Sequence, residues 1–131
     1  MLAYRTLAQS LQQKFDLPLE ASLVNLSTVM KSLAHELTPG EVRVLRMNVA
    51  SELHQVMLEG HPRGSHRLER MIETVSSLLE IPFEDARNRI LAVLGTLRDS
   101  TSPWDNIKYI ELLDRLHAEV LAVRSHQTEV A

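Results

Sequence analysis

Cysteine is absent from this chain, so neither a disulfide framework nor a thiolate metal site is available, which fits a reducing compartment. Aromatic residues make up only 4%, and four glycines leave little backbone able to wrap a cofactor or cradle a phosphate. Charge of one sign is also missing. A formal net charge of −3 with 24% charged residues argues against a nucleic-acid module that works by bulk charge. No window approaches the roughly 18 continuous apolar residues of a membrane span. Met1-Leu2-Ala3-Tyr4-Arg5 lacks the basic start and apolar stretch of a leader, so a cytoplasmic protein without a membrane partner is expected.

Catalytic signatures are missing in the same way. The serines sit in no Gly-x-Ser-x-Gly elbow, and Gly64-Ser65-His66 reads as a linker tripeptide. Six histidines raise the question of a metal, above all His54, His61 and His66. Their spacings of seven and five, with a loop between, do not set two ligands on one helical face, and no His-Glu-x-x-His segment occurs. The expectation is no enzyme, no metal and no cofactor.

What is present is a pattern stated twice. Pro18 and Pro39 are spaced as Pro82 and Pro103 are, and the shift that carries Pro18 onto Pro82 also carries Pro39 onto Pro103 without a gap. Leu17-Pro18-Leu19-Glu20 then meets Ile81-Pro82-Phe83-Glu84, and Thr38-Pro39-Gly40-Glu41 meets Ser102-Pro103-Trp104-Asp105. Leu26, Val29, Met30, Leu33, Leu45, Val49, Val56 and Met57 fall on Ile90, Val93, Leu94, Leu97, Tyr109, Leu113, Val120 and Leu121. Few positions are identical, so the likeness is architectural.

Apolar residues recur at spacings of three and four with no sustained alternation, which predicts an all-α fold. Tyr4, Leu7, Leu11 and Phe15 draw a first stripe, and Leu68, Met71 or Ile72, Val75 and Leu79 its counterpart. Pro18 and Pro82 open the second and fifth helices from the first helical turn, and these run to about His35 and Arg98. A capping box between Thr38 and Glu41, with Pro39 between and Leu37 and Val42 as staple, starts a third helix running to about Glu59. Gly60 is expected to close it in the left-handed conformation, with Pro62 beyond. Ser102, Pro103 and Asp105 repeat the cap before a sixth helix. The prediction is six helices in two pseudo-symmetric three-helix repeats, at about 4–59 and 66–124, joined by a linker at about 60–65 and ending in a frayed tail at 125–131. A chain of 131 residues suffices for one bundle-like domain that buries about two-thirds of its unfolded surface. The two repeats are expected to cover each other about an approximate two-fold axis.

On these residues the chain resembles a bacterial family of small two-repeat helical proteins known only as a domain of unknown function. The similar stretches are Leu37-Thr38-Pro39-Gly40-Glu41 and Ser51-Glu52-Leu53-His54-Gln55-Val56-Met57-Leu58-Glu59-Gly60, followed by His61-Pro62. It departs from that pattern at His61, where the family often has tryptophan, and at Ala50, where proline is usual. The resemblance implies a fold and no activity.

Three groups of residues stand out for function. From Ala21 to Ala34 the second helix carries one charge, Lys31, whereas the fifth carries Asp85, Arg87, Arg89 and Arg98. Such a helix is either enclosed by its own chain or covered by a second subunit, through Ser22, Asn25, Leu26, Val29 and Met30. Trp104 is the only tryptophan, a candidate anchor for a partner or a cover for the end of the core. Arg63, Arg67 and Arg70, with His61 and His66, make the one basic patch, a candidate anion site that Glu59, Glu69 and Glu73 also suffice to neutralise. The leading expectation is a non-catalytic interaction or adaptor module, self-associating as a dimer or docking another protein. The alternative is a sensor holding an apolar small molecule between the repeats, with Met30, Met47, Met57 and Met71 suited to such a pocket.

Overall fold

The computed structural model describes residues 4–99 and 106–123. These form seven helices and no strand: α1 (Tyr4–Phe15), α2 (Leu19–Glu36), α3 (Pro39–Arg46), α4 (Glu52–Glu59), α5 (Leu68–Leu79), α6 (Phe83–Asp99) and α7 (Ile107–Ala122). The expected count of six is corrected to seven, because the third helix is two.

The break falls at Met47–Ser51 and has local causes. The Asn48 N–H donates to the Leu45 carbonyl at 2.9 Å, closing a tightened last turn, while its side-chain amide meets the Val44 carbonyl at 2.7 Å. Its neighbours Val49 and Ser51 are poor helix formers as well. Val49 is buried, and Ala50 follows it into the core, so the turn is held by packing too. The break also resets the helical phase. Before and within it, Leu45 and Val49 match the buried Tyr109 and Leu113 at the shift that joins the prolines. Beyond it, Leu53 and Met57 match the buried Leu116 and Val120, one position short of that shift, while Leu121, the expected partner of Met57, is exposed. The gapless alignment therefore fails in its last third.

Elsewhere several local features recur at that shift. The same shift carries both ends of α1 onto the ends of α5. It also carries Asp16 onto Glu80, and both take a left-handed conformation after these helices. Leu17 and Ile81 then donate to the Gln12 and Ser76 carbonyls, and Ser22 and Ala86 to those of Pro18 and Pro82. Pro18 is the N-cap of α2, one position earlier than expected. The Thr38–Glu41 capping box is formed in both directions, and Leu37 and Val42 are buried beside it.

α1 packs on α2 and α6, and α5 on α6 and α2, while α2 and α6 also meet each other. α4 lies on α2 and α7 on α6, with α3 bridging α4 and α7. One continuous apolar cluster draws on all seven helices. α7 begins at Ile107 under an Asn106 side chain that accepts the Tyr109 N–H at 3.2 Å. The expected Ser102–Pro103–Asp105 cap, Trp104 and the tail at 125–131 lie outside the described residues.

Candidate functional site

The C-terminal end of α2 is where the two halves are joined. Its last carbonyls, which a helix leaves without internal donors, are met by the connecting segment: Arg63 N–H to His35 at 3.0 Å, His66 N–H to Glu36 at 2.9 Å and Gly64 N–H to Leu37 at 3.0 Å. Gly60 begins this crossing with φ −70°, which corrects the expected left-handed cap. Its lack of a side chain serves a close approach instead, since a Cβ there would stand 2.5 Å from the Lys31 carbonyl oxygen. The left-handed residues are His61, Gly64 and His66. His35 reaches back across the join, its Nδ1–H donating to the Gly60 carbonyl at 2.8 Å. A carbonyl only accepts, so the neutral ring carries its proton on Nδ1.

Between α2, this crossing and α5 lies a cleft of about 470 Å³. Met71 and Ser32, both buried, lie at its base, with Thr74 and Leu78 along α5 and Lys31, Glu59, His61 and Arg70 at its exposed edge. Glu36 also borders it, only 2% exposed, and its carboxylate accepts the Arg67 N–H at 3.0 Å. A buried carboxylate is thus held at the N-terminus of α5, where free N–H groups and the helix dipole favour negative charge. The helix end read as an anion site is already served by the chain's own glutamate. Of the three arginines proposed there, Arg70 borders the cleft, whereas Arg63 and Arg67 enter the join through their backbone N–H groups.

The residues proposed on the second helix are core. Leu26, Val29, Met30 and Ser22 are fully buried and Asn25 nearly so, covered by the chain itself, so in this fold they offer a partner no surface. Enclosure explains why α2 needs no hydrophilic face. Asn25 accepts from the Arg89 guanidinium at 2.6 Å and donates to the Ala21 carbonyl at 2.7 Å. Arg89 also stacks over the Phe15 ring at 4.3 Å, and burial draws its pKa below the ordinary value although Asp85 opposes the shift. Of the four methionines offered for a pocket, Met71 lines the cleft, Met30 and Met57 fill the core, and Met47 is 70% exposed.

A second polar constellation escaped the sequence reading. Glu41 Oε1 accepts the Thr38 N–H at 2.8 Å and the His66 Nε2–H at 2.6 Å, while Oε2 accepts from Arg115 of α7. Burial alone would raise the Glu41 pKa, but the Thr38 N–H, His66, Arg115 and the Thr38 hydroxyl outweigh it and hold it at about 2 against an ordinary 4.5. The signal for Thr38 was its spacing; nothing local marked Arg115, far along the chain on the last helix. His54, His61 and His66 do not converge: His54 bonds the Val49 carbonyl, His66 bonds Glu41 and His61 borders the cleft. No group of three or more metal-ligating side chains occurs among the described residues, and no described helix is long and apolar enough to cross a membrane.

The seam between α2 and α5 has a counterpart between α1 and α6. There Ser10 and Thr96 share a hydrogen bond of 3.0 Å that ties the helices together. Their counterparts in the other half, Thr74 and Ser32, border the cleft, and Thr74 donates to the Arg70 carbonyl of its own helix at 2.9 Å. Comparison with protein-family models, with curated proteins and with solved structures found no match to this chain.

Proposed function

We propose that this chain is a non-catalytic binding protein that takes a small molecule into the cleft between α2 and α5, on a scaffold made of two copies of one helical unit. The duplicated scaffold is supported by the Asn25–Arg89 contact, because these two residues are counterparts and counterparts touch each other only near a two-fold axis. The resemblance to the bacterial two-repeat family agrees with that scaffold and adds no activity. The observation that carries the binding reading is the difference between the seams: Ser10 and Thr96 bond across one, whereas across the other, no less closely packed, Ser32 and Thr74 border a cleft. A cleft of about 470 Å³ between bundle helices lies within the size range of small-molecule sites, roughly 300–1,000 Å³. A cytoplasmic setting fits a chain without cysteine.

Native mass spectrometry of the untagged full chain tests this reading, with Thr74→Trp as the variant that fills the cleft. A reproducible added mass on the wild type that the folded variant loses supports it. Wild type without added mass, together with a library of small fragments that leaves the cleft methyl resonances unmoved, overturns it.

A second reading, a module that associates with its own copy or another protein, draws on a different surface. Met47 and Ile107 are 70% and 61% exposed, and they flank the 3.1 Å bond from the Asn106 amide to Asn48. Dimers in the same spectra at low micromolar concentration, lost in Met47→Asp, would favour it.

A further inference from the structure

Resting on the cleft reading, we propose that the ligand is a small amphipathic monoanion, a carboxylate with a short aliphatic tail, whose charge is held by Lys31 and Arg70. The charges bordering the cleft divide into engaged and free. Glu36 is engaged: it is buried and accepts a backbone N–H at the start of α5. Lys31, Arg70 and Glu59 are exposed at the edge, and none of the three makes an ion pair with the described residues. Their sum is one positive charge, which one carboxylate neutralises.

The two cations stand on opposite walls, Lys31 on α2 and Arg70 on α5. An anion between them bridges the open seam that Ser10 and Thr96 close on the other side. Their counterparts in the other half are Gly95 and Thr6, so the charged pair belongs to this seam alone. Below them Met71 and Leu78 supply apolar surface, and the Thr74 hydroxyl is turned to the Arg70 carbonyl, leaving its methyl group as lining. Leu78 is 63% exposed without a ligand, an apolar side chain that a tail would cover. A charged head at the edge and a tail along α5 match a monocarboxylate better than a fully apolar molecule, which would leave both cations unused.

The test is an NMR titration of the full-length chain with hexanoate, hexanol and hexylammonium, following the Met71, Thr74 and Leu78 methyl groups. Hexanoate is expected to shift all three. Lys31→Met and Arg70→Met, which keep an aliphatic stem, are each expected to weaken hexanoate on the order of tenfold and to leave hexanol unchanged. If hexanol binds the same methyl groups as tightly as hexanoate, or both variants bind hexanoate like the wild type, the anion assignment is overturned while the cleft reading stands. If hexylammonium binds best, Glu59 rather than the cations selects the ligand, and the assignment is likewise overturned. If no probe moves these methyl groups, both fail.

Discussion

The seams α1–α6 and α5–α2 are built from corresponding positions and end in different states. In the first, Ser10 and Thr96 satisfy each other across the helices. In the second, Thr74 turns inward to its own backbone, Ser32 stays at the base of a cleft, and Lys31 and Arg70 occupy the places of Gly95 and Thr6. The chain also threads its connection past α2 on the cleft side, and Gly60 lies against the Lys31 carbonyl there. Corresponding positions can thus share a core and still differ along one seam through a handful of side chains. The third helices differ in the same spirit: α7 is continuous, whereas its counterpart is split at Met47–Ser51 into α3 and α4, with the buried register shifted by one position.

The sharpest way to break this comparison is in the shared core. Leu26 and Ile90 are counterparts, both fully buried, on α2 and α6. Leu26→Ala and Ile90→Ala are each expected to cost about 2–5 kcal/mol in denaturant unfolding, and by similar amounts. A near-neutral Leu26→Ala would mean that α2 is not enclosed by its own chain.

Next is the Glu41 cluster, in which the cap of α3 meets His66 and Arg115 from later in the chain. Its pKa is lowered, so the stability it contributes is fully present above the unfolded value near 4.5 and is lost as the pH falls towards about 2. Glu41→Gln should cost on the order of 2 kcal/mol at neutral pH, discounted for solvent around Arg115, and flatten the stability profile in that acid window. Urea melts of both proteins from pH 7 to pH 2 measure this; parallel profiles would remove Glu41 from the account.

Ser10→Ala should cost about 1 kcal/mol by breaking the closed seam, and Thr74→Ala distinctly less, because its exposed hydroxyl bonds only within α5. Equal costs would erase the distinction between the seams. The smallest effect has the opposite sign. Ser22 Oγ is buried without a hydrogen-bond partner, and its counterpart is the buried Ala86. Ser22→Ala should therefore raise stability by about 1 kcal/mol or less, read as a higher unfolding midpoint.

Local chemistry made much of the fold legible. The bounds of α1 and α5, the Thr38–Glu41 box and the ends of α2 and α6 to within one position follow from apolar spacing, from caps and from prolines that cannot continue a ladder. The break at Asn48 was harder to see, because an apolar pattern that resumes one position out of phase still reads as helical. Gly60 carried a correct stop signal for a different reason from the one its residue type suggested: it makes room for the Lys31 carbonyl, on a helix well before it in the chain. Of the candidate site, Arg70 and His61 were picked out together with Glu59 beside them, and Met71 apart from them, but nothing in the chain announced that all would border one cleft with Lys31.

An all-α chain, and where most of its helices begin and end, could be read from the amino acids alone, since these depend on contacts between near neighbours in the chain. Tertiary structure alone decided which face of α2 is hidden, which seam closes, and what Glu41 meets besides its own cap. Those outcomes depend on how Asn25 and Arg89, Ser10 and Thr96, or Glu41 and Arg115 approach in space. Such distances are set by the packing of whole helices, which no single segment encodes.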